Sequence, residues 1–183
     1  MQINNYLDTG GIIIRPNFFK LDVFNNFIKY LNKVKHTPTY QPSRLYYGNR
    51  YQAYPCYDYE ISNSEYGNII KKEIEKFLDV KIKYFKAYSR KILMEEIKKS
   101  QYNRAYGGIH QDDELAKYAA VLHLDQSFDG GTAFFERPHD NKPDIYLSAF
   151  TNRLVLYKGK RFHAPCNDFT FEVRNIIAIF LDF

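Results

Sequence analysis

Two histidines and one aspartate carry the strongest chemical signal in this sequence. His110 and Asp112 are separated by one residue and follow a Gly-Gly turn. Residues two apart on an extended segment point to the same side, so this imidazole and this carboxylate can reach one metal ion. His163 follows a later predicted strand and is the candidate third ligand. Two histidines and one carboxylate, with the opposite face of the metal open, form the ligand set that non-haem Fe(II) uses for oxygen chemistry.

The His-x-Asp pattern alone is a weak signal, because a chain of this composition contains it about 0.3 times by chance. It recurs at residues 123–125, and spacing does not choose between the two copies. His123 lies inside the apolar run 119–124, whereas His110 lies at the mouth of a strand. Because an iron site needs access for further ligands, we favour His110 and Asp112.

Arg174 is the fourth residue of chemical interest. It opens the otherwise apolar strand 173–180. A buried guanidinium without a partner is costly, so Arg174 needs a carboxylate. Glu172 is the partner in a purely structural interpretation, and an anionic ligand is the partner in a functional one.

The elements that must position these residues form an α+β order. Apolar residues at three- and four-residue steps predict a helix over 21–31 and a second helix from about Ser64 to 78, capped by Asn63 or Ser64. After Val80 the pattern predicts strands at 82–88, 92–97, 118–124, 132–136, 153–157 and 176–180. Two helices followed by this many strands are typical of an α+β protein with an antiparallel jelly roll.

Residues 37–60 differ from the helices and from the strands, because prolines and Gly48 interrupt a stretch rich in tyrosine. We interpret it as an irregular segment or loose hairpin. Its functional interpretation is a lid over the metal site, formed by residues 40–59.

Composition limits the classes of protein. The 183 residues are 45% hydrophobic and 26% charged, which predicts one folded domain over residues 1–183. Within it, the apolar patterns place the helices in the N-terminal part, residues 1–79, and the strands in residues 80–183. We expect neither a membrane span nor a secretory signal. Two cysteines make no disulfide framework and no zinc site, so a reducing, cytoplasmic location is expected. The net charge of +5 permits an acidic partner without requiring one.

Five features stand in a fixed order along the chain. They are the His-x-Asp at 110–112, the strand 118–125, the Gly-Gly turn and strand 129–135, the strand 152–157 leading to His163, and Arg174. In this order they resemble the Fe(II)/2-oxoglutarate-dependent oxygenases, in their prolyl 4-hydroxylase-like branch. The resemblance covers residues 80–183 well and the N-terminal helices loosely.

This resemblance implies a fold and a set of roles. The fold is a double-stranded β-helix (jelly roll) core with the N-terminal helices packed on one sheet. His110, Asp112 and His163 are implied as the catalytic Fe(II) ligands, and Arg174 as the residue that binds the distal carboxylate of 2-oxoglutarate. O2 is the co-reactant, and ascorbate is a further candidate cofactor.

Two residues depart from the family pattern. His123 stands where the family often has an aromatic residue that contacts the same carboxylate, so His123 is a second candidate cosubstrate contact. The family also often has a tyrosine eight to ten residues before the first histidine. Tyr102 is eight residues before His110 and is therefore a third candidate cosubstrate contact, with Tyr106 as its rival.

The resemblance implies hydroxylation of a C–H bond but leaves the substrate open. A peptidyl prolyl or similar amino-acid side chain is favoured, and a free amino acid or small metabolite is the alternative. A nucleic-acid-modifying oxygenase is supported only by the net charge, and a non-catalytic jelly-roll binding module is the option outside enzymes. The oligomeric state is not predicted.

Overall fold

The computed structural model describes residues 3–38, 45–46, 49–50, 55–112 and 114–183. The helices are α1 (Ile3–Asp8), α2 (Leu21–Leu31), α3 (Glu65–Leu78) and α4 (Met94–Lys98). The strands are β1 (Ile12–Arg15), β2 (Thr37–Pro38), β3 (Leu45–Tyr46), β4 (Asn49–Arg50), β5 (Tyr57–Glu60), β6 (Tyr84–Leu93), β7 (Tyr118–His123), β8 (Ser127–Phe135), β9 (Ile145–Ala149), β10 (Arg153–Lys158), β11 (Phe162–Cys166) and β12 (Val173–Asp182).

Two antiparallel sheets form the core of the protein. The major sheet has seven strands in the order β1-β10-β7-β12-β6-β5-β2, and the minor sheet has three in the order β11-β8-β9. A separate hairpin pairs β3 with β4. Between β7 and β12 the chain crosses repeatedly from one sheet to the other, as in a jelly roll. The predicted α+β class with a double-stranded β-helix core is confirmed.

The inner faces of the two sheets enclose one apolar cluster. Alternate residues of β7, β10 and β12 point inward, as the two-residue period of a strand requires. They meet Phe134 of β8 and Leu147 of β9. The inward residues of the major sheet in this cluster are Ala119, Val121, Val155, Tyr157, Ile176, Ala178 and Phe180.

The helices cover the outer face of the major sheet. The buried residues of α2 and α3 are Phe24, Phe27, Leu31, Ile70, Ile74 and Leu78. They share a cluster with the outward residues of β7, β10 and β12, among them Leu122, Leu156 and Ile177. Each fully buried side chain of this size contributes about 2 kcal/mol to stability. The N-terminal helices therefore pack on one sheet, as expected.

Helix α3 begins where the sequence predicts. The Oγ of Ser64 accepts a hydrogen bond from the backbone N–H of Gly67 at 3.0 Å, which satisfies an otherwise unpaired donor of the first turn. The helix ends at Leu78, because the C-cap Asp79 has a left-handed φ of 53°. Ser64, rather than Asn63, is the cap.

Some strand predictions are wrong or incomplete. A separate strand at 92–97 does not form; β6 runs on to Leu93, and α4 follows. Met94 and Ile97 are three residues apart and both buried, which is a helical spacing that a short apolar run concealed. Strands β9 and β11 are not among the predicted strands, because buried and exposed residues alternate only weakly along them.

The segment predicted to form a lid, residues 40–59, lies mostly outside the described residues, since residues 39–44, 47–48 and 51–54 are not described. Its described end, β5, pairs with β6 and widens the major sheet. Within the described ranges no helix combines the length and the hydrophobicity that crossing a membrane requires. Cys56 and Cys166 are both buried free thiols.

Candidate metal centre

His110, Asp112 and His163 come together at one place between the sheets. One ligand atom from each residue lies within 4.8 Å of the other two. The Nε2 atoms of His110 and His163 are 3.8 Å and 3.2 Å from the two carboxylate oxygens of Asp112. Asp112 and His163 are buried, whereas the His110 side chain is 31% exposed and gives the group access to solvent.

Backbone hydrogen bonds bring these distant residues together. The N–H of His110 donates to the carbonyl of His163 at 2.9 Å, and the N–H of His163 donates back at 3.0 Å. The N–H of Asp112 donates to the carbonyl of Gly159 at 2.7 Å. The segment around His110 is thus attached to the turn before β11 and to β11 itself. This attachment explains how residues far apart in the sequence share one centre.

The two imidazoles are oriented for metal binding. The Nδ1 of His110 lies 2.8 Å from the carbonyl of Gly108, and the Nδ1 of His163 lies 2.9 Å from the carbonyl of Arg161. Since a carbonyl only accepts, each Nδ1 carries the proton and each Nε2 keeps its lone pair. Both lone pairs belong to nitrogens that face Asp112. Two imidazoles, each held by an outer hydrogen bond at Nδ1, and one carboxylate fit a non-haem Fe(II) ion.

Aromatic side chains enclose the buried histidine. The ring of Tyr157 lies 4.7 Å from the ring of His163, and Phe134 packs edge-on against Tyr157. The pKa of Tyr157 is raised well above its usual value, first by burial and then by the negative charge of Asp112. The phenol therefore stays neutral and supplies a dry wall, which strengthens electrostatic interactions at the centre.

Sequence reasoning missed a second charged pair inside the protein. Arg90 of β6 donates from Nε and Nη2 to the two carboxylate oxygens of Asp58 of β5, both at 2.8 Å. Burial is the largest single effect and lowers the pKa of Arg90, but the hydrogen bond to Asp58 and the charges of nearby groups together raise it. The charge of Asp112 acts in the same direction, so this pair belongs to the electrostatic surroundings of the metal centre. The alternation of residues along β6 was the sequence signal that could have revealed this pair.

Arg174 lies on the inner face of β12 and reaches the minor sheet. Its Nη2 donates to the carbonyl of Gly131 at 2.7 Å, and its Nη1 donates to that of Cys166 at 3.2 Å. Its Nε is buried without a hydrogen-bond partner among the described residues. Within the same ranges no ion pair joins Arg174 to Glu172 or to any other acid. The described residues therefore provide no carboxylate partner of the kind that a purely structural role of Arg174 would need.

His123 lies beside Arg174 and away from the metal ligands. It is 1% exposed, and neither ring nitrogen has a hydrogen-bond partner among the described residues. Its pKa is lowered to about 3, first by burial and then by the charges of Arg174 and Arg153. His123 and Arg174 line one pocket together with Asp125, Ser127 and other residues. His123 is thus not grouped with the metal ligands, in keeping with its predicted second role.

The two candidate tyrosines lie in different apolar clusters. Tyr102 packs with Met94 and Ile97, and its ring lies against Gly108, the residue whose carbonyl holds His110. Tyr106 packs edge-on against Phe135 on the outer face of the minor sheet. Both tyrosines thus lie near the segment that carries the first histidine, Tyr102 against Gly108 and Tyr106 in one cluster with Ile109.

Comparison with known proteins identifies the fold. No protein-family model and no curated protein matches the sequence. Among solved structures, a prolyl-4-hydroxylase of Pseudomonas putida is 12% identical, with a TM-score of 0.63 over 99% of this chain and 97% of that one. A prolyl hydroxylase of Trichoplax adhaerens, in complex with a peptide of hypoxia inducible factor, is 14% identical, with a TM-score of 0.63 over 98% and 87%.

A third similar structure holds both a metal and a cosubstrate. It is HygX of Streptomyces hygroscopicus with nickel, 2-oxoglutarate and hygromycin B bound, 12% identical, with a TM-score of 0.63 over 97% of this chain and 84% of that one. The resemblance inferred from the sequence is confirmed at the level of fold. The chain has the fold of the 2-oxoglutarate–Fe(II) oxygenases, prolyl hydroxylases included.

Proposed function

We propose that this protein is an Fe(II)- and 2-oxoglutarate-dependent dioxygenase that hydroxylates a C–H bond. The observation that carries the proposal is the convergence of His110, Asp112 and His163, with ligand atoms within 4.8 Å of one another, in a protein of this fold. The ligand set is the one that non-haem Fe(II) prefers when it must leave positions open.

In this proposal the three residues hold the metal through His110 Nε2, His163 Nε2 and a carboxylate oxygen of Asp112. The carbonyls of Gly108 and Arg161 keep the protons on the two Nδ1 atoms, which preserves both Nε2 lone pairs. Bound Fe(II), with 2-oxoglutarate and O2, supplies the oxidation of a substrate C–H bond coupled to release of succinate and CO2. Tyr157 and Phe134 exclude water from the His163 side of the centre.

Arg174 is proposed to bind the distal carboxylate of 2-oxoglutarate, with His123 as a further contact. An inward guanidinium with no acidic partner in the described residues, and a buried imidazole with two unpartnered nitrogens, support these roles. An ionised carboxylate would supply the acceptor that both lack. Tyr102 stays a predicted cosubstrate contact, supported by its position against Gly108.

The favoured substrate is a peptidyl proline or a similar amino-acid side chain. Support comes from two similar structures described as prolyl hydroxylases, one of them in complex with a peptide. A small-molecule substrate is the alternative, because HygX was solved with hygromycin B. A single domain over residues 1–183 and a cytoplasmic location complete the proposal; the two free buried cysteines agree with a reducing compartment.

The test is an anaerobic titration followed by a substrate screen. Adding Fe(II) and then 2-oxoglutarate to the purified protein should produce the weak visible absorption band of a 2-oxo acid bound to Fe(II). Aerobic release of succinate should then be measured with proline-containing peptides, free amino acids and oligonucleotides as separate arms.

Each arm has a distinct meaning. Stimulation by peptides alone supports the favoured substrate, and stimulation by free amino acids supports the alternative. Activity on an oligonucleotide that falls steeply with salt would instead indicate a nucleic-acid substrate. Absence of the band, together with no tight metal binding, would contradict the enzyme and favour a non-catalytic binding module.

A further inference from the structure

We propose that Arg153 is a second cationic anchor for the distal carboxylate of the 2-oxo acid, so that two guanidiniums select a dicarboxylate. This inference rests on the proposed function and deepens it. Arg153, His123 and Arg174 are together called the anion cradle. No ion pair holds Arg153 within the described residues.

Strand register places Arg153 directly beside His123. The two residues are opposite each other in the antiparallel pair of β10 and β7, so their Cβ atoms are roughly 5 Å apart on the same face. On its other side His123 is opposite Ile176 of β12, two residues after Arg174. Arg174 is therefore the diagonal neighbour of His123, and all three side chains point between the sheets.

The two guanidiniums also reach neighbouring points on the opposite sheet. The Nη1 of Arg153 donates to the carbonyl of Ser148 at 3.2 Å, and the Nη2 of Arg174 donates to the carbonyl of Gly131 at 2.7 Å. Gly131 and Ser148 are cross-strand partners in the minor sheet. Gly131 has a φ of 140°, and a Cβ there would lie 2.0 Å from the Leu147 carbonyl, so only glycine keeps this approach. Arg153 of β10 and Arg174 of β12 thus lie on either side of His123.

No carboxylate forms an ion pair with a guanidinium of the anion cradle within the described residues. The Nε atoms of Arg153 and Arg174 and both ring nitrogens of His123 are buried without hydrogen-bond partners in the described chain. The nearest acids are engaged elsewhere, since Asp125 accepts from the N–H and Nδ2 of Asn175, and Asp168 accepts from Ser127 and Thr170. Leaving such donors dry and unpaired is costly, and a carboxylate would satisfy them.

The electrostatics of His123 agree with this geometry. After burial, the charges of Arg174 and then Arg153 lower its pKa to about 3, which shows that both guanidiniums raise the potential at the same point. A positive potential in a pocket that opens on Arg174 and His123 favours an anion. A dicarboxylate gains from this potential, whereas a 2-oxo acid with a neutral tail does not.

A purely structural role for Arg153 makes a different prediction. Its guanidinium lies 4.0 Å above the ring of Phe150 and binds the Ser148 carbonyl, which are contacts that stabilise a strand end. If these contacts were its whole purpose, removing the charge would lower stability without changing which 2-oxo acid binds.

The test measures binding rather than turnover. Protein loaded anaerobically with Fe(II) is titrated with 2-oxoglutarate and, separately, with 2-oxobutyrate, which lacks the distal carboxylate; affinities are taken from the rise in Tm. We expect Arg153→Gln to weaken 2-oxoglutarate about tenfold while 2-oxobutyrate changes less than about twofold. Arg153→Lys keeps the charge and should recover most of the affinity. Arg153→Met keeps the packing on Phe150 and replaces the Gln variant if that variant does not fold.

The control is Arg137→Gln, which removes an exposed arginine and changes the net charge equally. If Arg153→Gln and Arg153→Met bind 2-oxoglutarate as Arg137→Gln does, the inference is wrong and the proposed function stands. If both 2-oxo acids weaken equally, Arg153 acts through the fold and the inference is also wrong. If the unmodified protein binds neither 2-oxo acid, both proposals fail.

Discussion

The metal centre and the anion cradle are two polar groups inside the same jelly roll, and they are built in opposite ways. At the metal centre, backbone carbonyls hold both imidazoles and reciprocal N–H···O bonds join the segments of His110 and His163. In the anion cradle, buried nitrogens of three side chains have no hydrogen-bond partners among the described residues. The side chains of the metal centre are thus oriented by hydrogen bonds within the protein, whereas those of the anion cradle keep buried nitrogens that the described chain does not pair.

The difference agrees with what each site is proposed to bind. A metal ion tolerates little error in ligand direction, so its ligands are oriented in advance by outer hydrogen bonds. An organic anion brings its own acceptors, so its site keeps donors unsatisfied until the ligand arrives. Tyr157 connects the two sites electrostatically, because the charges of Asp112 and Arg174 both act on its hydroxyl.

The largest effect is expected from Asp112→Ala. Removing the carboxylate between the two histidines should lower succinate formation by at least about 1,000-fold and weaken Fe(II) binding in parallel, because the ligand set is incomplete. Metal affinity is measured by anaerobic titration. His139→Ala, at an exposed histidine, is the matched control and should behave as the unmodified protein. Full succinate formation in Asp112→Ala would contradict the assignment of the metal centre.

The next effect separates the two sites. Arg174→Met should raise the KM for 2-oxoglutarate about 100-fold, because the guanidinium that faces the distal carboxylate is lost. Fe(II) affinity measured without 2-oxoglutarate should stay nearly unchanged, since the hydrogen bonds of Arg174 go to Gly131 and Cys166 rather than to the metal ligands. A parallel loss of metal affinity would show that the two sites do not act independently.

A third prediction concerns the pH dependence of stability. The pKa of His123 is about 3 in the folded protein and about 6.5 when unfolded, so the unfolded chain binds more protons below pH 6.5. Stability therefore falls as the pH drops from 6.5 towards 3, by about 2 kcal/mol at pH 5. His123→Phe should remove this contribution to the loss, measured as the free energy of unfolding in urea at about pH 7 and about pH 5. An equal loss in both proteins would contradict the buried, unpaired state of His123.

The smallest effect comes from a residue remote from both sites. Ser64→Ala removes the side-chain cap of α3 and should lower the free energy of unfolding by about 1 kcal/mol. Affinities for Fe(II) and 2-oxoglutarate should not change, because α3 packs on the outer face of the major sheet. Ser64→Thr, which keeps the hydroxyl, should recover most of the stability. A change in either affinity would mean that a general loss of stability can by itself produce the loss of affinity expected of the variants at the two sites.

The local sequence pattern was enough to predict some elements of the fold. The helix over 21–31 and a cap at Asn63 or Ser64 follow from apolar spacing and capping chemistry; the structure confirms the helix and shows that Ser64 is the cap. The prediction of a strand at 92–97 is wrong, because a short apolar run does not distinguish a strand end from a helical turn. The lid hypothesis for residues 40–59 stays a prediction, since most of that segment lies outside the described residues.

The sequence by itself determined which side chains can do the chemistry: a His-x-Asp pair, a later histidine and an arginine that opens an apolar strand. Only the tertiary structure decided which His-x-Asp copy meets His163, because that meeting depends on the backbone bridge between His110 and His163. The same holds for Arg153, whose position beside His123 depends on the register of β10 against β7. Strand register is set by packing over the whole sheet, so residues far apart in the chain become neighbours for reasons that no local pattern contains.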